Sequence, residues 1–240
     1  MRRRAIIFFL LLVGPFFASP AMAGGWSWSP LQVAIWHPAQ MVPADWDIYG
    51  LRLNLLYGKN KNVWGLDLGF ANTTVNRVRG LQAGLINGPG ELGGIGIGGI
   101  NSASRVDGIQ GGLFSVAEER LNGMQLSVFF NQSPVVRGLQ LHAGLFGNFA
   151  ENVDGAQIAV GLTCNMANNI RGMQASVVSN YVDQSMKGGQ LAIYNSAQTM
   201  SGIQVGLVNY AEELRGVQVG LINVDDDSPI PFLPFFQAGL

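Results

Sequence analysis

Apolar and small polar residues alternate along most of the chain with a period of two, which is the period of a β-strand. In the segment that begins at Gly80, the apolar residues Leu81, Ala83 and Leu85 fall on one face. The glycines and Gln82 fall on the other face. The pattern predicts extended strands with one apolar side and one side of glycine and amide residues.

This alternating segment recurs twelve times, and each copy opens with a glycine. The spacing runs from 14 residues (Gly202 to Gly216) to 17 residues (Gly138 to Gly155). The lead glycines are Gly50, Gly65, Gly80, Gly94, Gly108, Gly123, Gly138, Gly155, Gly172, Gly188, Gly202 and Gly216. Because one copy cannot bury its own apolar face, the copies must pack on one another in a repeat or closed-sheet architecture.

Two architectures fit such a string. In an antiparallel barrel each unit is a strand plus its turn, and ten residues match the about 9–11 of a tilted membrane-crossing strand. In a parallel solenoid each unit is one coil. Ten extended residues span roughly 33 Å, and a turn of five residues is too short to bring the chain back over that distance. A coil would therefore have to bend at the glycines. We predict an all-β fold, an antiparallel β-barrel of about 12–14 strands, with a parallel β-solenoid as the alternative.

Two irregularities favour the barrel. The units that begin at Gly138 and Gly155 each insert two residues, which preserves the alternation and suits two strands of one long hairpin. The segments Leu31–Trp36 and Phe232–Leu240 also alternate. Together with the twelve repeats they make fourteen candidate strands, and the apolar last strand resembles the terminal assembly signal of outer-membrane barrels.

The N terminus predicts a secretory signal over residues 1–23. Three arginines precede an apolar stretch, Ala5–Phe17, and Ala21–Ala23 has the small-x-small cleavage pattern. Residues 24–49 are a separate segment rich in tryptophan and proline, and residues 50–240 form the repeat domain with its apolar C-terminal strand. We therefore predict an exported protein of the outer membrane or cell surface.

Composition points to a partner other than water. Only 12% of residues are charged, against about 25% in ordinary soluble proteins, and the mean hydropathy is +0.24. Outer-membrane lipid is the expected partner, and a protein or glycan at the cell surface is the alternative. The net charge of −1 and the lack of a basic patch argue against nucleic acid.

Two amide positions recur in the repeat. The glutamines are Gln82, Gln110, Gln125, Gln140, Gln157, Gln174, Gln190, Gln204 and Gln218. The asparagines are Asn72, Asn87, Asn101, Asn195, Asn209 and Asn223. In the barrel the glutamine face would line a lumen, with Arg52 and Asp67 as charged exceptions, and would favour a weakly selective or plugged pore. In the solenoid it would face solvent as a flat ladder for protein or glycan.

Residues that could carry catalysis are few. His37 and His142 lie far apart, and His142 with Cys164 could form a nucleophile pair, but no orienting carboxylate has a recognisable place. The glycine cluster 93–99 lacks the following helix that a nucleotide site needs. We predict no enzymatic activity, no catalytic residue and no cofactor.

Charged clusters are interpreted as surface features. Asp225–Asp227 could bind Ca²⁺, but a solvated loop is the favoured interpretation, as it is for Glu118–Glu119 and Glu212–Glu213, so we predict no metal site. Arginines recur immediately before the lead glycine. They are Arg79, Arg137, Arg171 and Arg215, which would snorkel at the strand ends of a barrel or form an exposed stripe on a solenoid.

The motif Gly-x-Gln-x-Gly-Leu-x-Asn resembles the bacterial surface-repeat family first described among leptospiral surface lipoproteins. The resemblance covers residues 31–240, including the phrase Trp46–Leu55, and implies a surface protein without catalytic residues. The chain departs from the lipoproteins because Cys164 is its only cysteine. We predict a non-enzymatic outer-membrane or cell-surface repeat protein with a structural or weakly selective pore role, with an exported β-solenoid for adhesion or interaction as the alternative.

Overall fold

The structure, a computed structural model, describes residues 27–239. The predicted signal peptide, residues 1–23, and the last residue lie outside the described residues. The strands are β1 (Trp28–Trp36), β2 (Ala39–Gln40), β3 (Asp47–Ala143), β4 (Gly147–Val160), β5 (Cys164–Ser176), β6 (Ser179–Leu191), β7 (Tyr194–Val205), β8 (Val208–Asp225) and β9 (Phe232–Gly239). Within residues 27–239 no helix is long and apolar enough to cross a membrane.

The chain divides into two compact units, residues 1–98 and 99–240. In the first unit, β1 pairs in parallel with the beginning of β3, so that Gln32 lies beside Arg52. The short strand β2 pairs antiparallel with β1. Each pass of β3 between lead glycines is one coil, because consecutive passes lie parallel and in contact at Gly50, Gly65 and Gly80.

In the second unit the coils are parallel and in register. Gly138 lies beside Gly155 on β4, and Gly155 lies beside Gly172 on β5. The same pairing continues through β6, β7 and β8, and ends at Gly216. Only β9 runs antiparallel, along β8. The repeat is therefore a parallel β-solenoid of about 12 turns, and the described residues confirm strands at Leu31–Trp36 and at Phe232–Gly239.

The antiparallel barrel was wrong, and the alternative is confirmed. The length argument failed because a unit is not ten straight residues. Gly80 has a φ of +133°, a backbone conformation that L side chains rarely adopt, and a Cβ there would overlap the carbonyl oxygen of Gly65 in the neighbouring coil. The chain turns a corner at this glycine, so four to six further residues suffice to close the coil.

The two longer units are also coils and not a hairpin. Residues 138–143 pair in parallel, one for one, with Gly155–Val160. The extra residues lie in bends at 144–146 and 161–162, between strands. Phe146, with a φ of +77°, turns the first of these bends. Inserting two residues keeps the alternation in a coil just as it does in a hairpin, so the insertion could not distinguish the two.

The interior of each unit contains a column of large apolar side chains, two residues before the lead glycine. In the first unit it consists of Ile48, Val63, Val78 and Leu92. In the second unit it consists of Val106, Leu121, Val136, Val153, Ile170, Met186, Met200 and Leu214. At most 3% of any of these residues is exposed. In the second unit a further column of mainly small apolar residues lies two residues after the asparagine position, and consists of Ala103, Ala117, Ala167, Val182, Ala197 and Ala211. The position two residues after the lead glycine and the asparagine position itself are filled mainly by amide side chains.

Candidate interaction surface

The repeated glutamines lie inside the solenoid. In the second unit each glutamine donates its Nε2 hydrogen to the Oε1 of the glutamine in the preceding coil. The ladder begins with Gln125 donating to Gln110 at 3.0 Å and ends with Gln218 donating to Gln204 at 2.7 Å. All nine predicted glutamines are buried, at 2% exposure or less. The expectation that this face meets solvent in a solenoid was therefore wrong.

A second ladder of asparagine side chains runs in the opposite direction. Asn180 donates to Oδ1 of Asn195, in the following coil, at 3.0 Å and to the carbonyl oxygen of Leu191, also at 3.0 Å. The pattern repeats from Asn131 to Asn223. Stacked amides of this kind use the same coil-to-coil spacing as the amide ladders of cross-β structures. Because the two ladders point opposite ways, their amide dipoles oppose each other.

The first unit fills the glutamine position with an ion pair. Arg52 donates from Nε to Oδ1 of Asp67 at 2.6 Å and from Nη2 to Oδ2 at 2.5 Å. Both side chains are fully buried. Gln82 donates to Oδ2 of Asp67 at 2.8 Å, and Arg52 donates to the carbonyl oxygen of Thr73 at 2.8 Å. The two charges predicted to face a lumen thus belong to a packed, hydrogen-bonded interior.

Since the amides point inward, the apolar residues that alternate with them point outward. We call the outward-facing residues between each lead glycine and the following asparagine position the apolar sector. In the second unit Ile203, Leu207 and Leu221 are exposed to 52%, 50% and 56%. Further exposed members there are Leu113, Val128, Leu145, Leu162, Met173, Leu191 and Ile193. This apolar face is therefore not part of the solenoid core.

The apolar sector of the first unit has the same character. Its most exposed members are Leu55, Leu56, Leu66, Phe70, Leu85 and Ile97. The only charged residues in these stretches of the described chain, Arg52 and Asp67, point inward and are buried. An outward surface without charge therefore occurs in each unit.

The backbone of the sector is hydrogen-bonded where the coils turn. Gly206 donates to the carbonyl oxygen of Val219 at 3.0 Å, and Ile222 donates to that of Leu207 at 2.9 Å. Leu207 in turn donates to Ile193 at 3.0 Å. Coil-to-coil bonds satisfy the polar backbone here, so that mainly apolar side chains meet the surroundings.

Charged residues of the second unit lie outside the apolar sector. All six of its lysines and arginines stand one or three positions before a lead glycine. Those directly before the glycine form what we call the basic row, which consists of Arg137, Arg171, Lys187 and Arg215. The sequence pattern identified the three arginines but missed Lys187, although it occupies the same position before Gly188.

In the first unit the position before the lead glycine is aromatic in two coils. The rings of Tyr49 and Trp64 are stacked with centroids 4.4 Å apart, and Trp28 meets Tyr49 edge-on at 5.9 Å. Arg79 occupies the next coil. Tryptophan, tyrosine and arginine are the residues that combine an apolar body with a polar end at the boundary between apolar and aqueous phases.

The candidate nucleophile pair is not assembled. His142 lies beside Ala159 and Cys164 lies beside Gly147, so they occupy different positions of the coil. His142 is buried, its Nδ1 is 3.1 Å from Oγ of Ser127, and burial lowers its pKa. Burial raises the pKa of the Cys164 thiol, which disfavours the thiolate that a nucleophile needs.

The other histidine has a local partner. Nδ1 of His37 lies 3.2 Å from Oε1 of Gln40, and its ring packs against that of Tyr57 with centroids 6.1 Å apart. Both partners lie within the N-terminal part of the first unit, so the contact holds the segment between β1 and β3.

The acidic turn closes the last coil. Asp225 is buried, accepts a hydrogen bond from the backbone of Leu214 at 3.1 Å, and has a pKa raised by burial. Asp226 accepts one from the Tyr210 hydroxyl at 2.7 Å, which raises the pKa of Tyr210 to about 12. Over residues 27–239 no three His, Cys, Asp or Glu side chains are grouped so as to hold a metal ion.

The two glutamate pairs are at the surface. Glu119 forms an exposed ion pair with Arg105 at 2.7 Å, and Glu213 forms one with Arg215 at 2.5 Å. Exposed pairs contribute roughly 0–1 kcal/mol, so they do not organise a site.

Comparison with protein-family models, with curated proteins and with solved structures finds no match. The resemblance to the leptospiral surface-repeat family therefore stays a prediction.

Proposed function

We propose that the chain is an exported, non-enzymatic β-solenoid that acts as an interaction module at the outer membrane, with the apolar sector as its interaction surface. The observation that carries this proposal is the inverted distribution of polarity. Between the lead glycine and the asparagine position amide side chains are buried, and the leucine, isoleucine and valine side chains that alternate with them point outward.

An exposed surface of this kind has a thermodynamic cost in water. Burying one leucine, isoleucine or valine side chain is worth about 1.5–3 kcal/mol, and the sector repeats such residues in every coil. Soluble proteins rarely expose contiguous apolar patches larger than a few hundred Å², and larger ones mark contact with a protein or a membrane. The sector therefore calls for a partner that covers it.

Lipid hydrocarbon suits the sector better than protein or glycan. Protein interfaces carry about one hydrogen bond per 100–200 Å², and a glycan needs hydrogen-bonding side chains. In the coil that begins at Gly202, the outward residues are Ile203, Val205 and Leu207, which offer none. The satisfied backbone suits contact with hydrocarbon for the same reason. The pore role followed from the barrel and has no basis in the packed interior of residues 27–239.

We propose that the chain has no enzymatic activity because each candidate catalytic group is engaged in a structural contact. His142 is buried against Ser127, and the Cys164 thiol donates to the carbonyl oxygen of Phe146 at 3.4 Å. Asp225 caps the backbone of Leu214. Each group is held by a structural contact and none faces another across a cleft.

Vesicle flotation tests the proposal. The mature chain, from residue 24, should float with phosphatidylcholine vesicles. The variant L191T/V205T/V219T changes three neighbouring sector residues exposed to 39–55% and should bind at least tenfold more weakly, since it removes the apolar part of the contact. A matched control, D183T/Q198T/E212T, changes exposed residues of the same three strands, β6, β7 and β8, outside the apolar sector and should float like the wild type.

Circular dichroism should show that both variants keep the β spectrum, because every altered side chain is exposed. If the sector variant floats as well as the control, the apolar sector is not the interaction surface. If the wild type stays in solution with every vesicle, lipid is not the partner.

A further inference from the structure

We propose that the basic row of the second unit binds the phosphate groups of anionic phospholipids while the neighbouring apolar sector contacts the hydrocarbon layer. This inference rests on the proposed function and adds to it the class of lipid and the residues that select it. The central members are Arg137, Arg171 and Lys187.

These three residues line one shallow groove. Arg137, Asp154, Arg171 and Lys187 occupy the same position in four successive coils, and Ser185 and Asn169 line the groove beside them. Successive coils are about 4.8 Å apart, so the row places its charges along a line about 14 Å long. With one acid among three cations, the groove has a net charge of +2.

The row's central cations are available to a ligand. Among the residues that the structure describes, Arg137, Arg171 and Lys187 have no ion-pair partner within 4.0 Å, whereas Arg105 and Arg215 are paired with glutamates. All three are exposed. Asp154 stands between Arg137 and Arg171 without forming a salt bridge to either of them. Unpaired guanidinium and ammonium groups in one groove match the geometry of phosphate oxygens.

The position of the row beside the apolar sector identifies the source of the phosphate. The lead glycine forms a corner of the coil, so that Arg171 stands on one side of the corner and Met173, which is 49% exposed, on the other. A surface that places Met173 in hydrocarbon therefore places Arg171 at the level of the headgroups. Long basic side chains reach a charged interface in this way while their methylene groups stay in apolar surroundings.

The acids of the second unit fall at several positions of the coil. Five of its eleven acids, Glu118, Glu151, Asp183, Glu212 and Asp226, occupy the third position after the asparagine position, whereas Asp107 and Asp154 share the position of the basic row. Two or three residues separate this position from the position before the next lead glycine. The largest group of acids therefore lies apart from the basic row, and the groove that holds Arg137, Arg171 and Lys187 contains one acid, Asp154.

Vesicle composition provides the test. The mature chain should bind vesicles of phosphatidylcholine mixed with phosphatidylglycerol more tightly than vesicles of phosphatidylcholine alone, and added salt should remove the difference. The variant R137Q/R171Q/K187Q should lose the preference. A basic residue near an anionic surface contributes about fivefold in binding, so the three together should change binding to the mixed vesicles by roughly a hundredfold.

Two controls separate the row from general charge. R137K/R171K/K187R keeps the charges and should keep the preference. K59Q/K61Q/R105Q removes three cations away from the row and should keep it as well. If the row variant retains its preference, or if the second control loses it, the inference is overturned.

A phosphate arm distinguishes the lipid from the free anion. Sodium phosphate and sodium chloride at equal ionic strength should weaken binding to the mixed vesicles equally. If phosphate abolishes binding and chloride does not, the row is a site for free phosphate, and the lipid assignment is wrong. Binding to phosphatidylcholine alone reports on the apolar sector, so loss of the preference with that binding intact leaves the proposed function standing.

Discussion

The same interior position is filled differently in the two units. In the second unit it holds neutral glutamines, each donating to the one before it, as Gln157 does to Gln140 at 2.8 Å. In the first unit two successive coils hold Arg52 and Asp67. Asp67 accepts hydrogen bonds from Asn54 and Gln82, and Arg52 donates one to the carbonyl oxygen of Thr73. Both solutions pair the polar groups along the column, and unpaired acceptors occur at its ends, at Oε1 of Gln82 and Oε1 of Gln218.

The comparison shows that this position requires matched donors and acceptors in adjacent coils more than it requires glutamine. An amide can continue the ladder in either direction because it has both donor and acceptor. Arg52 only donates and Asp67, when ionised, only accepts. The ion pair therefore works only as a pair, whereas each glutamine is one step of a uniform ladder, and substitutions should affect the two regions to different extents.

The largest effect should follow from Asp67→Asn. The change leaves Arg52 buried with its charge but without its counter-charge, and breaking a buried pair in this way costs about 3–5 kcal/mol in the free energy of unfolding. All five tryptophans of the chain lie at positions 26–64, so tryptophan fluorescence during urea unfolding reports on the first unit.

The matched control is the double variant R52Q/D67Q, which extends the glutamine ladder through both coils. It should unfold within about 1 kcal/mol of the wild type, because replacing a buried pair as a whole is often neutral. If Asp67→Asn were as stable as R52Q/D67Q, another group would have to compensate the charge of Arg52.

A smaller loss should follow from Gln157→Leu in the middle of the ladder. The substitution leaves Oε1 of Gln140 and Nε2 of Gln174 without their partners. Each buried polar group left unpaired costs about 1–3 kcal/mol, so we expect a loss of about 2–4 kcal/mol in urea unfolding followed by circular dichroism.

Gln237→Leu gives the control at the end of the same position. Gln237 donates only to the carbonyl oxygen of Ile230, at 3.1 Å, so no neighbouring glutamine loses a partner. The Gln237→Leu variant should lose about 1 kcal/mol in the free energy of unfolding. Equal losses at the two positions would mean that the ladder is not cooperative along the solenoid.

The smallest effect should come from pH and be confined to the second unit. Burial lowers the pKa of His142 below its ordinary value of 6.5. The unfolded chain therefore takes up the proton first, and stability, complete above about pH 6.5, falls as the pH drops from there towards the folded pKa. The slope within that window is roughly 1.4 kcal/mol per pH unit.

Thermal unfolding monitored by circular dichroism between pH 8 and pH 5 measures this dependence. His142→Gln should remove the slope near pH 6, while His37→Gln, in the first unit, serves as the control and should leave it in place. A slope that survives His142→Gln would assign it to other groups.

Several features of the fold are readable from the repeat. The strands, their alternation and the coil corners at the lead glycines follow from the period of two and from the spacing of Gly80 and its equivalents. The N-terminal strand and the apolar last strand were also predicted. The basic row was recognised in part, because Arg137 and Arg171 precede their glycines at the same position.

Strand direction could not be read in the same way. A strand in a hairpin and a side of a coil have the same alternation, and the two-residue insertions at Gly138 and Gly155 preserve it in both. Nor does the pattern say that Gln82 and its equivalents point inward in a solenoid. Amide side chains are mostly found at protein surfaces, and these are buried only because each has a partner in the next coil.

The order of residues alone thus settles that each unit is extended, that apolar and amide side chains occupy opposite sides, and that a glycine stands at the same point of every copy. Which side is enclosed depends on how the coils stack. A glutamine side chain can be buried only when a glutamine in the neighbouring coil replaces its hydrogen bonds to water. Stacking also sets the residues of the basic row along one line, although successive members are 16 to 34 positions apart along the chain, and creates a groove that no single repeat contains.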